Sequence, residues 1–157
     1  MARAGHPGSS VFATNHKARR DYEILETFEA GLELRGTEIK SIRQHRVTID
    51  DSFARIDGAE LFLYNMHVSP YEQGGRDNAD PLRIRKLLLH RREIDRVAGL
   101  LSQKRVALVP LRLYLKHGLA KVELAVGKGK REFEKRDRIR ERETDRELRR
   151  AVRRSLK

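Results

Sequence analysis

Cysteine is absent from the 157 residues. That removes a disulfide scaffold, a thiolate zinc site and a cysteine nucleophile together. No apolar run reaches the roughly eighteen residues that a membrane-crossing helix needs. The N-terminal MARAGHPGSSVFATNHKARR lacks the apolar centre of a secretory signal, so a soluble, cytoplasmic protein is the expectation. Catalytic signatures are missing too. GKGK at 127–130 has neither the upstream glycine nor the following hydroxyl of a phosphate loop, and no G-x-S-x-G elbow occurs. The six histidines are 6, 16, 45, 67, 90 and 117, with no pair at i, i+4 and no carboxylate between two of them at metal spacing. No metal or cofactor and no enzyme activity are expected. Acid–base work by Glu23, Glu26, Glu29, Glu33 or Glu38 competes with a plainer reading, in which these are solvated or paired with neighbouring arginines.

What the chain has is charge. Charged residues make up 37% and hydrophobic ones 38%, with a net charge of +12. The apolar share is low for a fully packed globule, so one domain with an appendage is predicted. A field of this sign favours polyanions, nucleic acid ahead of anionic membrane. Residues 128–157 carry fourteen Lys/Arg against seven Asp/Glu, a net of +7, which leaves +5 for the rest. The expected division is a flexible arm at 1–10, a body at 11–127 and a basic tail at 128–157.

The body reads mainly as strands. YEILETF and the following EAGLEL, with a bend at Gly31, predict strand. GTEIKSIRQH predicts a short helix with Thr37 as N-cap, Glu38 in the first turn, Ile39 and Ile42 on one face and Lys40 and Arg43 on another. SFARIDGAELFLYNMHV predicts a hairpin turning at Asp57-Gly58. SPYEQGGRDNADP is a loop. In LRIRKLLLHRREIDRVAGLLSQK, Ile94, Val97, Ala98 and Leu101 form the stripe of an amphipathic helix, and Gly99 inside it suggests close packing. RVALVPLRLYLKHGLAKVELAVGKGK gives two alternating runs around a His117-Gly118 turn. About six strands with two or three peripheral helices, and no β-α-β alternation, point to a mainly β chain. A closed oligonucleotide-binding-like barrel is preferred over a split β-α-β sheet, because closure hides sheet edges.

Basic residues gather at His16-Lys17-Arg19-Arg20, at Lys40-Arg43-Arg46, at Arg83-Arg85-Lys86-Arg91-Arg92 and in the tail. With Tyr22, Tyr64, Tyr71, Tyr114 and Phe133 as flat stacking surfaces, they predict a binder of RNA shape. Phosphate contacts would make its affinity salt-dependent. No basic recognition helix with a dimer seam favours sequence-specific DNA binding. Two other classes stay open on the residues alone: an RNA-cleaving enzyme using exposed carboxylates, and a structural protein of ribosomal RNA.

NHKARRDYEILETFEAG, LRGTEIKSIR, DPLRIRKLLLHRREI and LVPLRLYLKHGLAKVELAVGKGKREFEKR, in that order, resemble one family across about Asn15 to Arg136. It is the small protein B (SmpB) family, the SsrA-binding partners of transfer-messenger RNA (tmRNA) in bacterial trans-translation. The resemblance implies an oligonucleotide-binding-type barrel, no catalysis, and a monomer in complex with RNA. It implies binding to the tRNA-like domain of tmRNA in place of a missing anticodon arm, and delivery of that RNA to the vacant A site of a stalled ribosome. The RNA-facing residues it implies are Asn15, Lys17, Ala18, Arg19, Tyr22, Glu29, Lys40, Arg43, Leu88 and Lys121, to which the N-terminal basic cluster adds Arg20. Leu88, among leucines, also reads as a core residue that positions the surface. Glu29 would accept from a base amino group, a ribose hydroxyl or an arginine rather than attract phosphate.

For the tail the resemblance implies contact with small-subunit ribosomal RNA at the decoding centre and mRNA channel, through Lys128, Lys130, Arg131, Phe133, Glu134, Lys135, Arg136 and Arg138. The family's Asp-Lys-Arg stands here as Glu134-Lys135-Arg136, and Phe133 replaces a residue able to hydrogen-bond. The tail holds good helix formers and i, i+4 pairs at Glu132–Arg136 and Glu134–Arg138. Its apolar stripe of Ile139, Leu148, Val152 and Leu156 is too thin for docking. The expectation is disorder in the free protein and helix on the ribosome.

Overall fold

The structure, a computed structural model, describes residues 10–130 and 132–155. The predicted arm, apart from Ser10, and the predicted tail residue Arg131 lie outside the described residues. In chain order the elements are β1 (Ser10–Thr14), α1 (His16–Asp21), β2 (Tyr22–Leu32), α2 (Gly36–Arg43), β3 (Val47–Thr48), β4 (Phe53–Asp57), β5 (Glu60–Tyr64), β6 (His67–Val68), β7 (Arg85–Leu88), α3 (Arg91–Leu101), β8 (Val106–Lys116), β9 (Leu119–Gly129) and α4 (Glu132–Ser155). A single 3-10 turn, Gly75–Asp77, interrupts the long loop before β7.

The chain is mainly β with several helices. All strand pairs are antiparallel. The large sheet runs β1-β8-β4-β5-β7-β2-β9, and β9 pairs again with β8, so the six strands from β8 to β9 close into a ring with β1 attached outside it. The β8–β9 hairpin turns on His117 and Gly118, both at positive φ (52° and 77°), the geometry of a tight two-residue hairpin turn. Pro110 cannot donate to a ladder, and the register of β8 shifts between Pro110 and Arg112, where a bulge accommodates it. Inward residues alternate with outward ones along these strands. Ala30, Leu61, Leu63, Leu87, Leu113, Val122, Leu124 and Val126 fill one continuous core, which Ile42 of α2 and Val97 of α3 cap. At about 25 cal/mol per Å² of apolar surface, this burial is the main term holding the sheet on itself.

Several expectations need correction. The described residues contain nine strands rather than about six, while the three helices α1 to α3, apart from the tail helix α4, fall within the two or three expected. β3 and β6 have two residues each, too few to show a period, and α1 is under two turns. The segment before Arg91 is not helix: RKLL forms β7, and the apolar stripe begins only afterwards. The first hairpin turns at Gly58-Ala59, because Asp57 still pairs with Glu60. The N-cap of α2 is Arg35, not Thr37; its N–H donates to Glu38 Oε1 at 2.9 Å. Gly99 is exposed with open space around its Cα, so no close approach explains it.

β9 continues through Gly129, with Lys128 opposite Glu23 and Val106. Beyond it, α4 carries Phe133, Glu134, Lys135, Arg136 and Arg138 in its first two turns. Every side chain described between Arg140 and Arg154 is exposed. Twenty-four helical residues span about 36 Å.

Candidate nucleic-acid interface

Helix α1 is held by Asn15. This residue is buried; its Oδ1 accepts from the Ala18 N–H at 3.1 Å, and its Nδ2 donates to the Pro110 carbonyl at 2.9 Å. Asn15 therefore acts by fixing the helix, since its amide is committed inside the protein. Ala18 packs on Val109, Leu111 and Ala125. The other face leaves His16, Lys17, Arg19 and Arg20 exposed. Lys17 pairs with Asp51 at 3.1 Å, and Arg20 with its neighbour Asp21 at 3.4 Å. Such exposed pairs are weak and exchange readily for phosphate. Tyr22 packs closely on Gly127, where a Cβ would sit 2.8 Å from the Tyr22 Cβ, so glycine is required there. Lys130, grouped with the tail from the sequence, is buried, and its Nζ donates to the Arg19 carbonyl at 3.0 Å.

A second group lies on the outer face of the sheet. Register places Leu88 opposite Gly31, Gly31 opposite Lys121, and Lys121 opposite Tyr114. One row thus crosses four strands. A Cβ on Gly31 would stand 3.2 Å from Leu88 Cβ, so the glycine lets the leucine lie across β2. Leu88 is not a core residue: half its surface is exposed, and the core position is Leu87, one residue earlier, because strand residues alternate faces. Glu29, Leu88 and Lys121 come together around a groove of about 730 Å³. Glu60, Lys86, His90 and Arg91 also line it. Of these, Lys86 and Arg91 were legible as basic residues but not as neighbours of Glu29.

Glu29 is tethered. The Tyr114 hydroxyl donates to it, and Lys116 Nζ lies 3.4 Å away. The Tyr114 bond holds the Glu29 carboxyl below its ordinary range; partial burial opposes this, and Lys116 and Lys121 reinforce it. Burial, then the bond to Glu29, pushes the Tyr114 hydroxyl up. Beside them Arg112 and Glu123 form a hydrogen-bonded pair.

Lys40 and Arg43 stand on the exposed side of α2, with Lys40 Nζ 5.3 Å from the centre of the Tyr71 ring. The opposite side of α2 is an ionic core. Glu38 is buried, paired with Arg85 at 2.5 Å and with Arg83 at 2.5 Å. Arg85 is fully enclosed and also donates to the carbonyls of Met66 (2.6 Å), Arg83 (2.9 Å) and Pro81 (3.2 Å). Arg85 thus leaves the surface cluster in which the sequence placed it. Burial alone would raise the Glu38 carboxyl, yet the bonds from Arg83, the Arg35 N–H and Arg85 outweigh it and hold it low. Burial lowers Arg85 below its usual value.

Both perturbed carboxyls are shifted toward the anion. Neither is poised to give a proton near neutrality, as a general acid must. The outward lysines and arginines suit phosphate oxygens, and Glu29 suits an amino or hydroxyl donor. Among the described residues, no helix is long and apolar enough to cross a membrane.

Comparison with known proteins agrees with this picture. The family model described as "SmpB protein" matches residues 12–154. An SsrA-binding protein of Geobacillus thermodenitrificans (strain NG80-2) is 59% identical, over 91% of this chain and 92% of the relative. The SsrA-binding protein of Bacillus subtilis (strain 168) is 56% identical, over 94% of each chain. A solved structure described as "tmRNA-SmpB: a journey to the center of the bacterial ribosome" superposes with a TM-score of 0.65 at 50% identity, covering 76% of this chain and 84% of that one. With the family model spanning residues 12–154 and relatives 56–59% identical over more than nine-tenths of the chain, this chain belongs to the SmpB family.

Proposed function

We propose that this protein is a cytoplasmic, non-catalytic RNA-binding factor that carries tmRNA to stalled ribosomes. The carrying observation is the row Leu88–Gly31–Lys121 with Glu29 beside it. Three segments distant in sequence set an apolar surface, a cation and a low-pKa carboxylate around one groove. In this reading the groove meets the tRNA-like end of tmRNA: Leu88 packs on a ribose or base face, Lys121 meets phosphate, and Glu29 accepts from a base amino group or 2′-hydroxyl. Lys17, Arg19, Arg20, Lys40 and Arg43 supply further phosphate contacts. Asn15 and Tyr22 hold the elements that present them.

The ring of six strands is read as a barrel of the oligonucleotide-binding type. The protein stands in for the missing anticodon arm, enters the vacant A site with its RNA, and tests the mRNA channel with residues from Lys128 onward. The exposed α4 side chains support a tail free of the body. An isolated helix without packing is marginal in water, so the tail is disordered before entry and becomes helical against ribosomal RNA.

RNA co-purifying with the protein from cells tests this. One stable RNA with a tRNA-like end, released by salt, is expected; bulk ribosomal RNA in stoichiometric amount would favour a structural ribosomal protein instead. A chain ending at Gly129 should keep that RNA and lose rescue of stalled ribosomes.

A further inference from the structure

We infer that the outer face of the β4–β5 hairpin is a second RNA surface, one that stacks unpaired bases. Ala54, Leu61 and Leu63 point into the core. Alternation then puts Phe53, Arg55 and Asp57 of β4, and Glu60, Phe62 and Tyr64 of β5, on the other side. Three aromatic rings in two short strands therefore face outward, and none of them belongs to either hydrophobic cluster. All three are partly exposed. Phe53 and Tyr64 are cross-strand partners whose rings stack at 5.3 Å and within 5° of parallel. Arg55 lies 5.6 Å from the centre of the Tyr64 ring and has no carboxylate partner among the described residues. The Tyr64 hydroxyl donates to Asp57, which fixes the ring's orientation. In the next row Phe62 sits between Arg55 and Lys86.

Flat rings interleaved with cations on a sheet face match what successive bases and their phosphates require. A cross-strand brace would also use such rings, but it needs neither the unpaired arginine nor the third ring, Phe62. The occupant follows from continuity: Glu60 and Lys86, on this face, also line the groove that holds Glu29 and Leu88. A strand of RNA leaving that groove meets Phe62 and then the Phe53–Tyr64 stack. The inference rests on the RNA-binding reading above, adding to it a single-stranded segment that stacks rather than a helix read by shape.

The test uses the full chain with a tmRNA transcript. Irradiation at short wavelength, digestion and mass spectrometry should place cross-links on the peptides carrying Phe53, Phe62 and Tyr64. Tyr64→Leu and Phe62→Leu should each weaken binding about tenfold, Tyr64→Phe should bind like the wild type, and Arg55→Gln should lower the salt slope by about one. Thermal melts identify any variant that loses its fold, and the cross-link map of the wild type does not depend on variants. If the wild type binds the transcript while cross-links fall only elsewhere and both leucine variants bind normally, this surface is refuted and the rings are a brace. If the wild type does not bind the transcript, it is the function proposed above that fails.

Discussion

Two acidic residues, Glu29 and Glu38, stand nine positions apart in neighbouring motifs and do opposite work. Glu38 turns inward, where two arginines and a backbone N–H enclose it. Glu29 stays at the surface, steadied by a tyrosine hydroxyl and a lysine beside an open groove. Both carboxyls sit below their ordinary value. Around Glu38 that is the signature of a buried ion pair that ties α2 to the residues leading into β7. Around Glu29 it reflects the Tyr114 hydroxyl and the nearby Lys116 and Lys121, on a carboxylate that stays at the surface. A lowered pKa by itself therefore does not separate the two roles; the burial of the carboxylate does, with Glu38 enclosed and Glu29 partly open to solvent.

The largest expected effect breaks the scaffold side. Glu38→Ala leaves Arg85 charged, enclosed and unpaired, and should cost about 3–5 kcal/mol of stability in urea unfolding. Glu29→Ala should change stability far less and weaken RNA binding instead. A Glu29→Ala loss as large as that of Glu38→Ala would erase the distinction.

The next contrast is within two adjacent leucines. Leu87→Ala opens a cavity in the core and should cost about 2–5 kcal/mol. Leu88→Ala removes a half-exposed side chain, so unfolding should shift by no more than about 0.5 kcal/mol, while affinity for the tRNA-like RNA falls. Parallel urea titrations and filter-binding measurements separate the two.

The pH dependence sharpens the comparison further. A carboxyl depressed in the folded state adds stability that is complete above its ordinary value of 4.5 and disappears as the pH falls through the folded value. Stability should therefore drop below about pH 4.5 on this linkage argument, and Glu38→Gln should flatten the curve there, whereas Glu29→Gln should alter it slightly. Chemical denaturation at stepped acid pH reads this out. The smallest effect belongs to the exposed pair Lys17–Asp51: Asp51→Asn should change stability by about 0–1 kcal/mol. It should leave RNA affinity unchanged or raise it, because Lys17 is released for phosphate.

Much of the body was legible in the chain. The β8–β9 hairpin announces itself through alternating apolar residues and His117-Gly118, and α3 through Ile94, Val97 and Leu101. These signals are local: a period and a turn need no distant partner. The elements that escaped are those whose reasons are not local. β7 looks like the start of a helix because three successive leucines show no alternation and run into the stripe of α3, and only pairing with β5 and β2 makes it a strand. Arg85 looks like its basic neighbours until Glu38, 47 residues earlier, is found beside it. Lys130 looks like tail until its ammonium is seen at the end of α1.

The amino-acid order by itself determined that the chain is basic, mainly β, without cysteine chemistry, and ends in a charged segment with little apolar surface to bury. Its motifs pointed to the family. Which charges face outward was decided only by the fold. Net charge and periodicity are sums over neighbours along the chain, whereas burial of Glu38 and Arg85, exposure of Leu88 and the meeting of Glu29 with Lys121 depend on strand register. A shift of one residue in that register would turn Arg85, Leu88, Glu29 and Lys121 to the opposite face of their strands, and Glu38 on α2 would lose its partner.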